Sequence, residues 1–136
     1  MTQRHVFGWQ KEIELKTTLE EFLKEELTKT DSRWDSIDFT SPSYTAELKS
    51  RRTFDKNGWW VTSQTYSDWL LPATKVDNSC GQSLKRHIIF YYYEGDNSLW
   101  YLWKDEVDWS TIHLTVPRFH THPHYYVSRN LWKQIS

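Results

Sequence analysis

The sequence predicts an α/β domain, bordering on α+β: an N-terminal helix, then a central mixed β-sheet flanked by helices. Three observations carry this. Leu15, Leu19, Phe22, Leu23 and Leu27 recur at helical spacing. Several short runs rich in β-branched and aromatic residues follow, separated by turn signals such as Asn57-Gly58. The run RHIIFYYYEG is apolar on both alternations, which suits a strand buried on both faces. With 136 residues and no Pro/Gly/Ser-rich divide or internal repeat, the chain reads as one domain over 1–136.

The helix is expected over residues 10 to about 29. Glu12 before Lys16, Glu20 before Lys24 and Glu25 before Lys29 give it one-turn ion pairs, and TKTDSR ends it. RWDSIDF and SYTAELKSRR read as a hairpin joined at TSPS, and WWVTSQTY as a third strand. Pro72 marks a helix start, with a helix expected around residues 75–85. SLWYLWKD pairs with the run before it across the EGDN turn. The tail, TIHLTV then RFHTHPHYYVS then NLWKQI, reads as an edge strand or loop and a short closing element.

Seventeen basic residues against 18 acidic leave a formal charge of -1, so no global field draws the chain to nucleic acid. The basic residues do gather locally at Lys49, Arg51 and Arg52. A single cysteine, Cys80, excludes an intrachain disulfide and fits a reducing compartment. Without an apolar run of membrane length or a secretory leader, an intracellular protein is expected. Nine Trp, eight Tyr and six Phe carry much of the burial in a chain only 38% hydrophobic.

Charged residues interrupt the hairpin. Asp38 stands between Ile37 and Phe39, and Glu47 and Lys49 flank Leu48. Residues two apart on a strand share a face, so Glu47 and Lys49 project together, and a hairpin brings Asp38 beside them. Two close carboxylates repel unless one takes a proton or a divalent cation binds. A hard cation with a neighbouring lysine suits phosphodiester hydrolysis.

This pattern, SIDF followed by YTAELKSRR, resembles the PD-(D/E)XK nuclease superfamily, and its ELKSRR form is similar to that of small phage and archaeal nucleases, including Holliday-junction resolvases. The element order from Glu12 to about Tyr93 agrees. The resemblance implies a restriction-endonuclease-like core and a nuclease hydrolysing DNA with a Mg²⁺-activated water, Mn²⁺ substituting. The cell would be prokaryotic or virus-infected. Asp38, Glu47 and the Leu48 backbone carbonyl would hold the metal, and Lys49 would help activate water. A further ligand from the first helix is implied, Glu14 first and Glu12 as alternative. Lys75 matches the Lys or Gln that the family places at the next helix start. Ile37 stands where the family often has Pro. Arg51, Arg52 and Lys75 are candidate nucleic-acid contacts. DNA is the implied partner, with a homodimer or a partner protein left open.

Two other readings stand beside this one. The same fold can keep the residues as an inactive binding or interaction protein, with Asp38, Glu47 and Lys49 as a solvated cross-strand charge row. His120, His122 and His124 alternate, so an extended strand would align them as a zinc set, although Pro123 breaks regular strand geometry. HTHP is shared with JAMM-type isopeptidases, but Ser128 sits too near Pro123 for that family's pattern and no Asp follows. Trp59, Trp60, Tyr66 and Trp69 are candidates for stacking on bases. Trp100, Tyr101, Trp103 and Tyr91 to Tyr93 are assigned to core and sheet.

Overall fold

A computed structural model describes residues 3–30, 37–77, 85–118 and 120–136, with backbone only for 3–5. It is a mixed α/β arrangement, with a central mixed sheet and few helices.

Helix α1 (Gln3–Leu23) begins earlier and ends earlier than its periodicity suggests. It stops because Lys24 turns into the left-handed region at φ 59° while its N–H still reaches the Glu20 carbonyl. Leu27 therefore packs as extended chain, with its N–H donating to the Glu20 carboxylate at 2.7 Å. Strands β1 (Thr28–Lys29) and β2 (Phe39–Thr40) are two residues each, and the residues expected to extend the hairpin at 33–36 lie outside the described residues. The β2 turn is held by Glu25, whose carboxylate accepts from the Ser41 hydroxyl and from the Ser43 N–H and hydroxyl at 2.6–3.0 Å. Strand β3 (Tyr44–Arg51) follows.

The third strand expected at WWVTSQTY does not form. Residues 52–67 make a connection with one isolated bridge, Phe54 to Trp60. Its place in chain order goes to β4 (Asp68–Pro72), in a stretch that reads as mixed in sequence. Helix α2 (Ala73–Asp77) begins directly after Pro72, as expected; the remainder of the expected helix, with Cys80, lies outside the described residues. Strand β5 (Arg86–Tyr93) is buried from its second residue onward. A short 3₁₀ turn at Glu94–Asp96 leads to β6 (Ser98–Trp103). The tail supplies β7 (His113–Thr115), β8 (His124–Ser128) and β9 (Lys133–Gln134).

The main sheet runs β1-β2-β3-β5-β6-β9, and a second sheet runs β4-β8-β7. All neighbours are antiparallel except β3 and β5, whose eight pairs run parallel from Tyr44–Arg86 to Arg51–Tyr93. The main sheet is covered on both faces, which explains why β5 carries no polar alternation. One face packs Leu19, Leu23 and Leu27 onto Ala46, Leu48, Ile88, Phe90 and Tyr92. The other packs Trp69, Leu71, Val76, Val127 and Trp132 onto Ile89, Tyr91 and Tyr93. Among the described residues no helix is long and apolar enough to cross a membrane.

Candidate functional site

Asp38 stands just before β2, where Phe39 pairs with Ala46; its N–H donates to the Ala46 carbonyl at 3.0 Å, and its carboxylate lies close enough to Glu47 to raise it. Ala46 and Leu48 belong to the α1 side, so Glu47, Lys49 and Arg51 project to the other. Asp38 and Glu47 thus approach one another, while Lys49 is placed on the Glu47 face by strand alternation.

Asp38 is anchored through the Leu48 N–H, which donates to its Oδ2 at 2.8 Å. In a strand the N–H and C=O of one residue point to the same edge, so the Leu48 carbonyl faces the Asp38 side too. Glu47 is buried at 5% exposure. Its Oε1 lies 3.4 Å from Lys75 Nζ, and its Oε2 is buried with no hydrogen-bond partner. Burial first, then the charge of Asp38, hold the Glu47 carboxyl well above the ordinary 4.5, against the pull of Lys75. Burial alone would lower the Lys75 ammonium, but Glu47 and Asp38 outweigh it and raise it above 10.5.

The two first-helix glutamates named through the resemblance, Glu14 and then Glu12, sit differently. Glu14 points to solvent, paired with Lys11 at 2.8 Å, its side chain 57% exposed. Glu12 is the one turned inward. It is ion-paired with Lys29, and burial followed by the charge of Asp38 pushes it up to about 7. Every glutamate of this helix looks alike in sequence. The choice is made by Lys29, on a two-residue strand that the sequence does not announce.

The candidate contacts sit in different settings. Lys75 faces Glu47 and not a free surface. The Arg51 Nε donates to the Tyr91 hydroxyl at 3.1 Å. Arg52 is exposed, over the Phe7 ring at 5.8 Å. Trp69 is no stacking candidate: it is 1% exposed, packed against Tyr91, Tyr93, Trp100 and Trp132. Trp59, Trp60 and Tyr66 remain open to solvent. The three histidines do not align on one strand, because β8 begins only at His124. His124 faces His120 at 4.7 Å between ring centroids, and its Nδ1 contacts the His122 carbonyl at 2.9 Å. Burial lowers His124, and the cations Lys49 and Arg51 add to that effect.

Sequence reading also passed over His87. It sits on β5 beside Thr45, whose hydroxyl is 2.8 Å from Nδ1. Burial, then the charges of Lys104 and Lys75, lower it to about 4, so it is neutral near pH 7. The signal was present, since a polar residue inside the RHIIFYYYEG run needs a partner.

Among the described residues no three His, Cys, Asp or Glu side chains are grouped so as to hold a metal ion. Two carboxylates and a main-chain carbonyl form a smaller donor set than that. Hard oxygen donors of this kind suit Mg²⁺, which keeps several waters. The orphaned Glu47 Oε2 is the atom that such a cation would satisfy. Comparison with protein families, curated proteins and solved structures gives no match.

Proposed function

We propose that the chain is a PD-(D/E)XK-type nuclease with a restriction-endonuclease-like core, hydrolysing DNA phosphodiester bonds with Mg²⁺. The observation that carries the reading is the approach of Asp38 to Glu47, with a buried carboxylate oxygen left without a donor. The order helix α1, short strands, β3, β4 of the second sheet, helix α2 and parallel β5 supports it as well.

Asp38, Glu47 and the Leu48 carbonyl would hold the cation, with Glu12 as the nearest further carboxylate. When bound, Mg²⁺ polarises a phosphate and lowers the pKa of water. The chain's own part is to hold its charges in place. The Leu48 N–H fixes the Asp38 carboxylate. Lys49 presents an ammonium on the Glu47 face, where it can orient a water or meet charge developing on a phosphate. Lys75 holds Glu47 from the side of α2. The reading is tested by cleavage of a labelled DNA duplex and single strand in Mg²⁺. Glu47→Ala and Lys49→Met are expected to lose activity at least 100-fold. Cleavage by Glu47→Ala at the parent rate would show that this site is not catalytic.

One observation favours a second reading, an inactive nucleic-acid-binding or interaction protein on the same fold. Lys75 already lies against Glu47 and supplies part of what a cation would. Calorimetry with Mn²⁺ separates the two: no heat, and no rise in thermal midpoint, would support the inactive form.

A further inference from the structure

The segment 52–67 between β3 and β4 holds four of the large exposed hydrophobics: Phe54 at 60%, Trp59 at 72%, Trp60 at 63% and Tyr66 at 43%. Exposed aromatics this dense need a reason, because they invite aggregation. A floppy loop would at least let them collapse onto the body, but this one is braced. Phe54 and Trp60 form a bridge across the Asn57-Gly58 turn, where Gly58 takes φ 83°. The Asp55 N–H donates to the Trp59 carbonyl at 3.0 Å, and the Asp55 carboxylate accepts from the N–H groups of Asn57 and Trp59 at 2.8 and 3.0 Å. The base of the hairpin is tied by the Val61 N–H to the Thr53 carbonyl at 2.8 Å. The Thr53 hydroxyl donates to Glu94 at 2.7 Å, and the Ser63 hydroxyl to Asp96 at 2.6 Å.

Arg52 and Lys56 lie exposed beside the rings, and the carboxylates of Asp55, Glu94 and Asp96 accept hydrogen bonds from the segment itself. The hairpin is also the direct continuation of β3. Six residues separate Glu47 from Thr53, about 20 Å at roughly 3.3 Å per strand residue. That span lies within the several nucleotides that a single-strand site covers.

We infer that this hairpin is a stacking platform for unpaired bases, with Phe54, Trp59 and Trp60 as the rings and Arg52 and Lys56 meeting the phosphates. The substrate then carries a single-stranded segment, as in an overhang, flap or free strand. Every base has a π-face, so the platform reads strandedness and not sequence. The inference rests on the nuclease reading for its choice of a nucleic-acid occupant, but its test does not use cleavage.

The test is fluorescence anisotropy on the full chain carrying Glu47→Gln, without divalent metal. The probes are a labelled 20-nucleotide thymidine strand and a 20-base-pair duplex. The expected result is binding to the strand at least tenfold tighter than to the duplex, with quenching of tryptophan emission. Trp59→Ala with Trp60→Ala then weakens strand binding tenfold or more, while the paired Trp→Phe changes weaken it less than threefold. Thermal midpoints of all variants establish that they fold. Strand binding unaffected by the alanine pair overturns the inference. So does an alanine pair that alters only self-association in sedimentation, which would make the hairpin a contact for a second copy. Loss of cleavage specificity to Glu47, with this binding intact, would refute the nuclease reading alone; the reverse result would refute the platform alone.

Discussion

The two faces of the main sheet are built differently. On the α1 face, Leu19, Leu23, Phe39, Ala46, Leu48, Ile88 and Phe90 pack as an apolar layer that fills its space. On the face toward β4 and β8, the same two central strands carry Thr45 with His87, Glu47 with Lys75, and Arg51 with Tyr91, beside a cluster of aromatic rings. One strand, β3, serves both, because its alternate side chains separate the two environments. The apolar face supplies stability. The polar face holds ionisable groups in burial they would not choose, and that is where a site becomes chemically useful.

The largest expected effect lies on the apolar face. Phe90→Ala removes a fully buried ring and should lower stability by about 3–5 kcal/mol, read by urea denaturation. Opposite behaviour is expected across the sheet. Lys75→Met leaves Glu47 buried without its cation and should destabilise by about 1–3 kcal/mol at pH 8. The loss should shrink at pH 5, where Glu47 more readily holds a proton. A loss that is equal at both pH values would mean Lys75 acts by packing alone.

Glu47→Gln should stabilise the metal-free protein by about 1–2 kcal/mol, since an amide removes a buried charge and can donate toward Asp38. The same change, and Asp38→Asn, should abolish any rise in thermal midpoint caused by Mn²⁺. A rise that persists in both would place the cation elsewhere.

A further effect concerns pH. The pKa of Glu12 is about 7 in the folded chain against an ordinary 4.5. The folded state therefore keeps a proton that the unfolded state has released, and metal-free stability should fall as pH rises from about 4.5 through 7. Glu12→Gln should flatten that slope in a pH series of melts. Metal binding should strengthen over the same window, because the cation competes with the proton.

How much of this was legible depends on how local each cause is. Strands β3, β5 and β6 announced themselves through composition, and the approach of Asp38 to Glu47 followed from the hairpin pattern. Lys75 was singled out through a resemblance, and the structure brings it to Glu47 for a reason periodicity cannot give. The second sheet was legible only at its edge: TIHLTV, read as an edge strand or loop, supplies β7, whereas β4, five residues ending on Pro72, carries no strong strand pattern. The inward turn of Glu12 depends on Lys29, in a strand fixed only by tertiary pairing. The burial of Trp69 beside the exposure of Trp59 and Trp60 is likewise a fact of topology, as all three sit in similar aromatic surroundings in sequence.

The parallel pairing of β3 with β5 has a consequence in time. Residues 52 to 85 must be bridged before these strands can meet, and the entropy of that closure is spent before the non-local pairing rewards it, unlike the local contacts of α1 or a tight turn. Glu47 precedes that span and Lys75 lies within it. The carboxylates therefore stay hydrated while the helix and short hairpin form, and they lose water only when β5 docks and α2 closes over them. Pulse-labelled hydrogen exchange should find the β5 amides protected after those of α1, so that the most strained electrostatics in the molecule is also the last to be assembled.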